Sequence, residues 1–407
     1  MPSTVLSGIR VLDLSRVLAA PLAAQLLGDL GADVIKVERP GRGDEARGYG
    51  PPFVADADGE PTTDSAFYMA CNRNKRSITV DISRPEGQDI VRQLAAQSDV
   101  LIENFKTGGL ARYGLDYASL SKLNPRLVYC SVTGYGQTGP LASRPGYDGV
   151  FQAMSGFMNV SGHPDGVPGG GPMKVGISII DILTSLYSAN AIQAALRQRD
   201  MDTGQGQHID MSLLDCALAS LSHFAMNYLV SGDIPERRGN GGFGGVPSQS
   251  FRCRDRSIFI VAGGDHQFRA LCGVIGRADL LTDPRFATTS ARIQNRKALS
   301  LVLEAIMAER DANEWLALLE AADVPAAPVN TISEAFDEPQ VKHREMLRQV
   351  DLPTGPLSIL ANPIVFSQSP IETYLPPPSL GQHTEEILTG LGFDTAEQNR
   401  LRQLGVI

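Results

Sequence analysis

Cysteine and histidine are scarce: five of one and six of the other lie scattered through 407 residues, with no C-x-x-C pair and no clustering at metal-ligand spacing. That excludes a disulfide framework and a zinc site, so Cys71, Cys130, Cys216, Cys253 and Cys272 read as reduced packing residues. The glycines that let a backbone close on a pyrophosphate are missing from the first strand-to-helix turn, Ser15 to Pro21. Two G-x-G-x-x-G-like stretches, from Gly41 and from Gly239, open no apolar helix, which removes their warrant as nucleotide loops. A nicotinamide-dependent dehydrogenase is therefore disfavoured. Positive charge is also short, with a net charge of -9 and a pI near 5.3, which argues against nucleic acid or an anionic membrane as partner. No repeat stands out and no apolar run reaches membrane-spanning length, and the start, Met1 to Ser7, lacks a basic segment followed by an apolar one. A cytoplasmic protein is expected.

What is present is the pattern of a parallel α/β fold. Gly8 to Leu14 reads as a strand, Val17 to Leu30 as a helix with Pro21 in its first turns, and Asp33 to Glu38 as a second strand. Strand, helix and strand in about thirty residues make a βαβ unit. Further strands are expected at Asp99 to Phe105, Leu127 to Val132 and Gln207 to Met211, and helices at Pro85 to Ala96 and Ser212 to about Leu229. The length exceeds one ordinary core, so two domains or one large body with an excursion are expected. The glycine-dense run Arg237 to Pro247 marks a composition break, a linker or a mobile lid, with sequence alone favouring the linker.

The chemistry gathers at Asp181. An extended, β-branched run from Val175 to Ile180 meets an Ala/Leu-rich helical run to Leu196, and Asp181 stands at the junction. There it can cap the helix, accepting from the free N–H groups of the first turn, or serve as a reactive carboxylate at the helix's positive end. Asn72-Arg73-Asn74-Lys75-Arg76 beside a strand is either a solvated edge or a phosphate grip. Asn104, Phe105 and Arg112 follow a strand's carboxyl end, where open parallel sheets bind ligands. The turn-rich loop Thr133 to Pro140, followed by Arg144 to Asp148, is a further candidate.

Taken in order, several of these stretches resemble the family III CoA-transferases, the group that includes carnitine-CoA and formyl-CoA transferases and α-methylacyl-CoA racemase. The stretches are Arg10 to Leu14 with Leu27 to Ala32 and Val34 to Glu38; Asn72 to Ser77; Glu103-Asn104-Phe105; Gly134-Tyr135-Gly136; Asp181; Gly204 to Gln207 with Asp210; and Leu380 to Thr384. The resemblance implies an α/β fold: a Rossmann-like large domain built from both chain ends, residues 1–225 and 326–407, a small α+β domain, 226–325, and an interlocked homodimer of ring-shaped subunits. It implies Asp181 as nucleophile and no tightly bound cofactor or metal, with coenzyme A and acyl-CoA as substrates.

Carried over residue by residue, the CoA site comprises Val17, Leu18, Ala19, Arg39, Asn72, Arg73, Asn74, Lys75, Asn104, Phe105 and Arg112. The acid pocket comprises Arg16, Arg47, Tyr49, Tyr135, Tyr147, His223, Gly241, Gly242, Gly244 and Gly245, with the glycine run covering the reacting centre. Tyr147 stands where the racemase branch needs a His, and Leu18 and Tyr49 stand where the formyl-CoA enzymes carry Gln and Trp. The pattern is similar to succinyl-CoA-dependent enzymes acting on glutarate or related diacids, with a racemase, or a transferase for itaconate, citramalate or a carnitine-like acid, as alternatives. For a diacid, Arg47 is the first choice to read the far carboxylate.

Overall fold

The computed structural model describes residues 4–56 and 58–407; Met1 to Ser3, which entered the compartment reading, lie outside the described residues. The strands, in chain order, are β1 (Arg10–Asp13), β2 (Asp33–Glu38), β3 (Phe53–Ala55), β4 (Pro61–Ser65), β5 (Lys75–Thr79), β6 (Val100–Glu103), β7 (Val128–Thr133), β8 (His208–Ser212), β9 (Ser248–Arg252), β10 (Ser257–Val261), β11 (Ala326–Pro328), β12 (Leu347–Leu352) and β13 (Gly355–Leu360). Two compact units are present: Met1–Phe157 with Val175–Ser231 and His343–Ile407, and Met158–Lys174 with Gly232–Lys342.

The first unit is built on a six-stranded, all-parallel sheet in the order β5-β2-β1-β6-β7-β8. That is a doubly wound order, with its reversal between β1 and β6. Successive residues of one strand feed opposite faces. Leu12, Ile35 and Ile78 pack beneath helix Pro85–Ala96, whereas Val11, Val34, Val100 and Val128 pack against helices Ala19–Asp29 and Ile179–Gln198. The chain's end joins the first face through Ile387, Leu388 and Leu401, and Asp81 N–H donates to Val406 O at 2.7 Å. The second unit carries an antiparallel sheet, β11-β10-β9, under helices whose Phe268, Leu299, Leu303 and Trp315 form its own core.

Several expectations are corrected. The small unit takes in Met158–Lys174 and runs from Gly232 to Lys342, rather than 226–325, because β11 pairs with β10 and keeps the returning chain in that unit. Val175 to Ser178 forms no strand: Val175 N–H donates to Gln152 Oε1 and the helix begins at Ile179. The helix after β8 breaks into Leu213–Ser220 and His223–Ser231, bent by 74° where Ser222 enters φ 50°. One helix, Ile179–Thr203, is long and apolar enough to cross a membrane, yet Ile180, Ile192 and Leu196 bury it in the sheet's core.

Candidate active site

β1 ends at Asp13, and the chain turns through Leu14 to Leu18 into helix Ala19–Asp29. Where a dinucleotide fold would place glycine, Val17 sits at φ 72°, a conformation that costs a β-branched residue on the order of 1–3 kcal/mol. Its surroundings enforce it. Val17 N–H donates to Asp44 Oδ1 at 3.0 Å and Cys71 Sγ to Val17 O at 3.4 Å, while Asn104 accepts from Arg16 N–H at 2.9 Å and donates to Arg16 O at 2.6 Å.

Beneath the turn lies a charged core. Lys36 Nζ meets Ser15 O and Asp44, each at 2.8 Å; Lys75 Nζ meets Asp13 and Pro21 O at 2.8 Å and Asn72 Oδ1 at 2.9 Å. Burial opposes ionisation of Asp13 and Asp44, but Lys75 and Lys36 beside Asp13, and Lys36 beside Asp44, outweigh it and hold both carboxyls below their ordinary value. Two cations and two anions balance, which is what burial at this depth requires.

A cavity of about 670 Å³ opens at the carboxyl ends of these strands, lined by Ser15, Arg16, Arg39, Arg42, Tyr49, Phe105, Arg112 and Tyr113 among others. Strand order places it at the reversal, where ligands of open α/β sheets bind. Arg39, Arg42 and Arg112 are exposed, and none meets a carboxylate at ion-pair distance among the described residues. Arg16 pairs with Glu45 at 2.8 Å and lies 4.8 Å over the Phe105 ring.

The expected CoA residues divide accordingly. Arg39, Phe105 and Arg112 line the cavity, whereas Val17, Leu18, Ala19 and Asn104 shape or hold the turn and do not line it. The side chains of Asn72 to Lys75 are spent within the fold, contrary to the phosphate grip expected of them. Arg73 forks onto Asp29 at 2.6 and 2.9 Å, Asn74 donates to Asp29 and accepts from Leu375 N–H, Asn72 donates to Tyr68 O, and the three Nζ hydrogens of Lys75 have partners. Arg42 was missed; its signal is a second arginine three residues after Arg39 in a Gly/Pro turn beyond β2.

Asp181 is the third residue of its helix rather than the cap. The cap position, Ser178, makes no side-chain cap bond; the carboxylate of Asp148 takes that role from another helix, accepting from Ile180 N–H at 2.7 Å and Asp181 N–H at 3.3 Å. Asp148 is buried and in turn accepts from Gln152 Nε2 at 2.6 Å. The Asp181 carboxylate itself has no hydrogen-bond or ion-pair partner among the described residues. Burial, and then the Asp148 charge, push it up to about 7. A carboxylate left half-buried without a partner is chemically available.

Phe151, from the Asp148–Met154 helix, fills the space against Gly134 and Gly146, where a Cβ would come within 2.7 and 2.2 Å of its ring, and Tyr135 packs edge-on to it at 5.1 Å. Tyr147 is 69% exposed and lies within electrostatic reach of Tyr49, whose phenol is raised by burial, Glu45 and Tyr147. Thus Tyr49 in the cavity wall, Tyr147, Asp148 and Asp181 form one continuous region.

Arg47 does not belong to it as a reader of ligand. It is buried, with Nε and Nη2 on Glu38 at 2.8 and 2.7 Å, Nη1 on Asp64 at 2.6 Å, further bonds to Tyr68 Oη and Pro378 O, and its guanidinium 3.8 Å over the Tyr68 ring. Its donors are consumed by the fold. His223 opens the helix beyond Ser222, its ring 4.6 Å from Phe224. Gly241, Gly242, Gly244 and Gly245 lie in the second unit. Among the described residues no three His, Cys, Asp or Glu side chains converge on a metal position.

The sequence profile of CoA-transferase family III matches residues 6–384. Succinate–glutarate CoA-transferase from Agrobacterium fabrum is 46% identical over 389 residues, 95% of each chain. Succinyl-CoA:glutarate CoA-transferase from Homo sapiens is 41% identical over 404 residues, 99% of this chain and 90% of that protein. The crystal structure of a CAIB/BAIF family protein from Brucella suis superposes with a TM-score of 0.85 at 46% identity, covering 95% of this chain and 99% of that one.

Proposed function

Because this chain belongs to CoA-transferase family III, we propose that it moves CoA from succinyl-CoA to a dicarboxylic acid of the glutarate type, with Asp181 as the covalent relay. The observation that carries this reading is the Asp181 carboxylate: partly buried, without a cation or donor against it, and raised to about 7. A carboxylate so little stabilised is a better nucleophile than one in an ion pair.

The Asp181 oxygen attacks the succinyl thioester carbonyl, the C–S bond breaks, and CoA leaves as thiolate, giving a succinyl–aspartyl mixed anhydride. The thiolate then attacks the Asp181 carbonyl of the anhydride, releasing succinate and leaving an aspartyl-CoA thioester. A glutarate carboxylate attacks that thioester, the C–S bond breaks to release CoA thiolate and leave an aspartyl–glutaryl anhydride, and the thiolate then attacks the glutaryl carbonyl, forming glutaryl-CoA and freeing the Asp181 carboxylate. Charges balance at each step without an external base. Asp148 acts as a positioning residue, fixing the helix start through the Ile180 and Asp181 N–H groups.

The cavity at the sheet reversal supports CoA binding, with Arg39, Arg42 and Arg112 toward its phosphates. Free, buried cysteines support a reducing compartment, the cytoplasm. Exposed apolar side chains on helix His223–Ser231, Met226, Leu229 and Val230, support a homodimer.

Asp181→Ala tests the assignment: transfer should fall by at least about a thousandfold while CoA binding persists. In the wild type, the single-turnover rate of aspartyl-CoA formation should rise with pH and level off above about 7, following ionisation of Asp181. Loss of less than about tenfold in the variant would remove Asp181 from the reaction.

A further inference from the structure

Asp13, Asp29, Glu38 and Asp44 are each buried against a cation, but one buried acid of the parallel sheet has none. Glu103 ends β6, and no cation stands at ion-pair distance from it among the described residues. Its partners are neutral donors: Phe105 N–H reaches Oε2 at 2.7 Å, and the hydroxyl of Ser131, opposite it on β7, bonds the same carboxyl. Burial outweighs both bonds and pushes Glu103 up to about 7.

The bond to Phe105 closes a tight turn where the chain leaves the sheet for the cavity. Phe105 lines that cavity with Arg16 4.8 Å over its ring, and Asn104, inside the same turn, holds both the N–H and the carbonyl of Arg16. Glu103 does not line the cavity. It secures the Phe105 and Arg16 wall from below.

A buried acid exchanges its proton only where a path leads out. Ser131 Oγ lies 3.0 Å from Nε2 of His208, an exposed residue of the edge strand β8 whose ring stacks on Tyr117 at 5.0 Å. With Glu103 ionised, Ser131 donates to it and accepts from His208 Nε2–H. A proton arriving at His208 Nδ1 lets each of these hydrogens shift one place, leaving Glu103 protonated and His208 neutral on its other nitrogen. The other ionisable groups along this path are Tyr129 and Cys130 of β7, both kept neutral by burial, Asp116 beyond Tyr129, and Asp210 of β8. Asp210 favours the imidazolium, but partial burial holds His208 below its ordinary value.

We infer that Glu103 is a positioning residue for the acyl-CoA cavity: its ionised carboxylate holds Phe105 and the Asn104 turn in the geometry that receives the ligand, and Ser131 and His208 connect it to solvent. This rests on the CoA reading above. A charge-assisted hydrogen bond is about twice as strong as a neutral one, so the wall is firmer with Glu103 ionised. The ligand's negative charge opposes that ionisation, but it acts across an open cavity lined by Arg39, Arg42 and Arg112 and is screened. The short, buried bond prevails.

The test is the Kd of dephospho-CoA, measured by calorimetry between about pH 6 and pH 8, on either side of the Glu103 value, for the wild type, Glu103→Gln and Ser131→Ala. Dephospho-CoA lacks the phosphate monoester that itself titrates near pH 6. Wild-type affinity should rise by roughly fivefold over that range, the step from a neutral to a charge-assisted hydrogen bond. Glu103→Gln, a neutral isostere of the protonated acid, should stay within about twofold of the wild type's low-pH affinity throughout. Ser131→Ala removes a bond that favours the carboxylate and should move the rise to higher pH. An equal pH response in wild type and Glu103→Gln would overturn the inference, because another group, such as Asp181, would then carry it. A flat wild type, or a midpoint unmoved in Ser131→Ala, would overturn it as well. A wild type that binds no dephospho-CoA at any pH would overturn the CoA reading along with the inference, so the two failures are distinguishable.

Discussion

At the carboxyl end of β1, Asp13 is fully buried against Lys75 and Lys36 and its carboxyl stays below the ordinary range; at the head of helix Ile179–Gln198, Asp181 is half-buried with no cation and rises to about 7. Depth of burial does not separate the two roles, since the deeper carboxylate is the more acidic. Company does. The paired carboxylate is spent on holding Lys36 and Lys75 under the turn that frames the cavity, and the unpaired one remains available for bond formation.

The comparison can be broken hardest on its paired side. Lys36→Met removes the ammonium that bridges Asp44, Asp13 and Ser15 O, leaving buried carboxylates without compensation. Destabilisation of about 3–5 kcal/mol is expected, the usual cost of stranding one member of a buried pair. Urea unfolding at pH 7 measures it, and a loss under about 1 kcal/mol would mean that solvent already screens the network.

This contrast also explains what the sequence could disclose. The parallel sheet was legible because Val11-Leu12, Val34-Ile35 and Leu101-Ile102 are unbroken apolar stretches in a strand–helix–strand pattern, as strands buried on both faces require. Asp181 was legible as a carboxylate at a helix start, but its partner was not: the cap comes from Asp148, thirty-three residues earlier. Which cations are spent in the fold was hidden for the same reason. Lys75, Arg47, Arg39 and Arg42 are alike in type and in Gly/Pro/Asn surroundings, and only the fold brings Asp13 to Lys75 and Glu38 to Arg47 while leaving Arg39 and Arg42 on the cavity wall. Pairing over long sequence separation has no local signature.

On the unpaired side the sign reverses. The Asp181 pKa is raised in the folded protein above its unfolded value near 3.8, so between about 4 and 7 the native state holds the extra proton, and stability falls as pH rises through that window. Asp181→Asn removes the cost of the charge. It should be more stable than the wild type above pH 7 by on the order of 2 kcal/mol, allowing for partial exposure, and show no advantage below pH 4. Thermal unfolding at pH 4.0 and 8.0 distinguishes this from a general packing effect, which would be equal at both.

The smallest effect sharpens the comparison among the cations. Arg42 is exposed on the cavity wall, with no carboxylate to strand, so Arg42→Gln should leave stability within about 0.5 kcal/mol. What it should lose is affinity: CoA binding weaker by roughly tenfold at low salt, about 1.4 kcal/mol, because one charge-assisted contact to phosphate is gone. The contact is solvent-facing, and the Debye length shrinks from about 30 Å at 0.01 M to about 8 Å at 0.15 M, so the gap between variant and wild type should narrow as salt is raised. A salt-independent gap would place Arg42 in a desolvated contact with CoA. A gap of zero, with Arg39→Gln and Arg112→Gln still impaired, would return Arg42 to the solvated surface and leave two arginines for the phosphates.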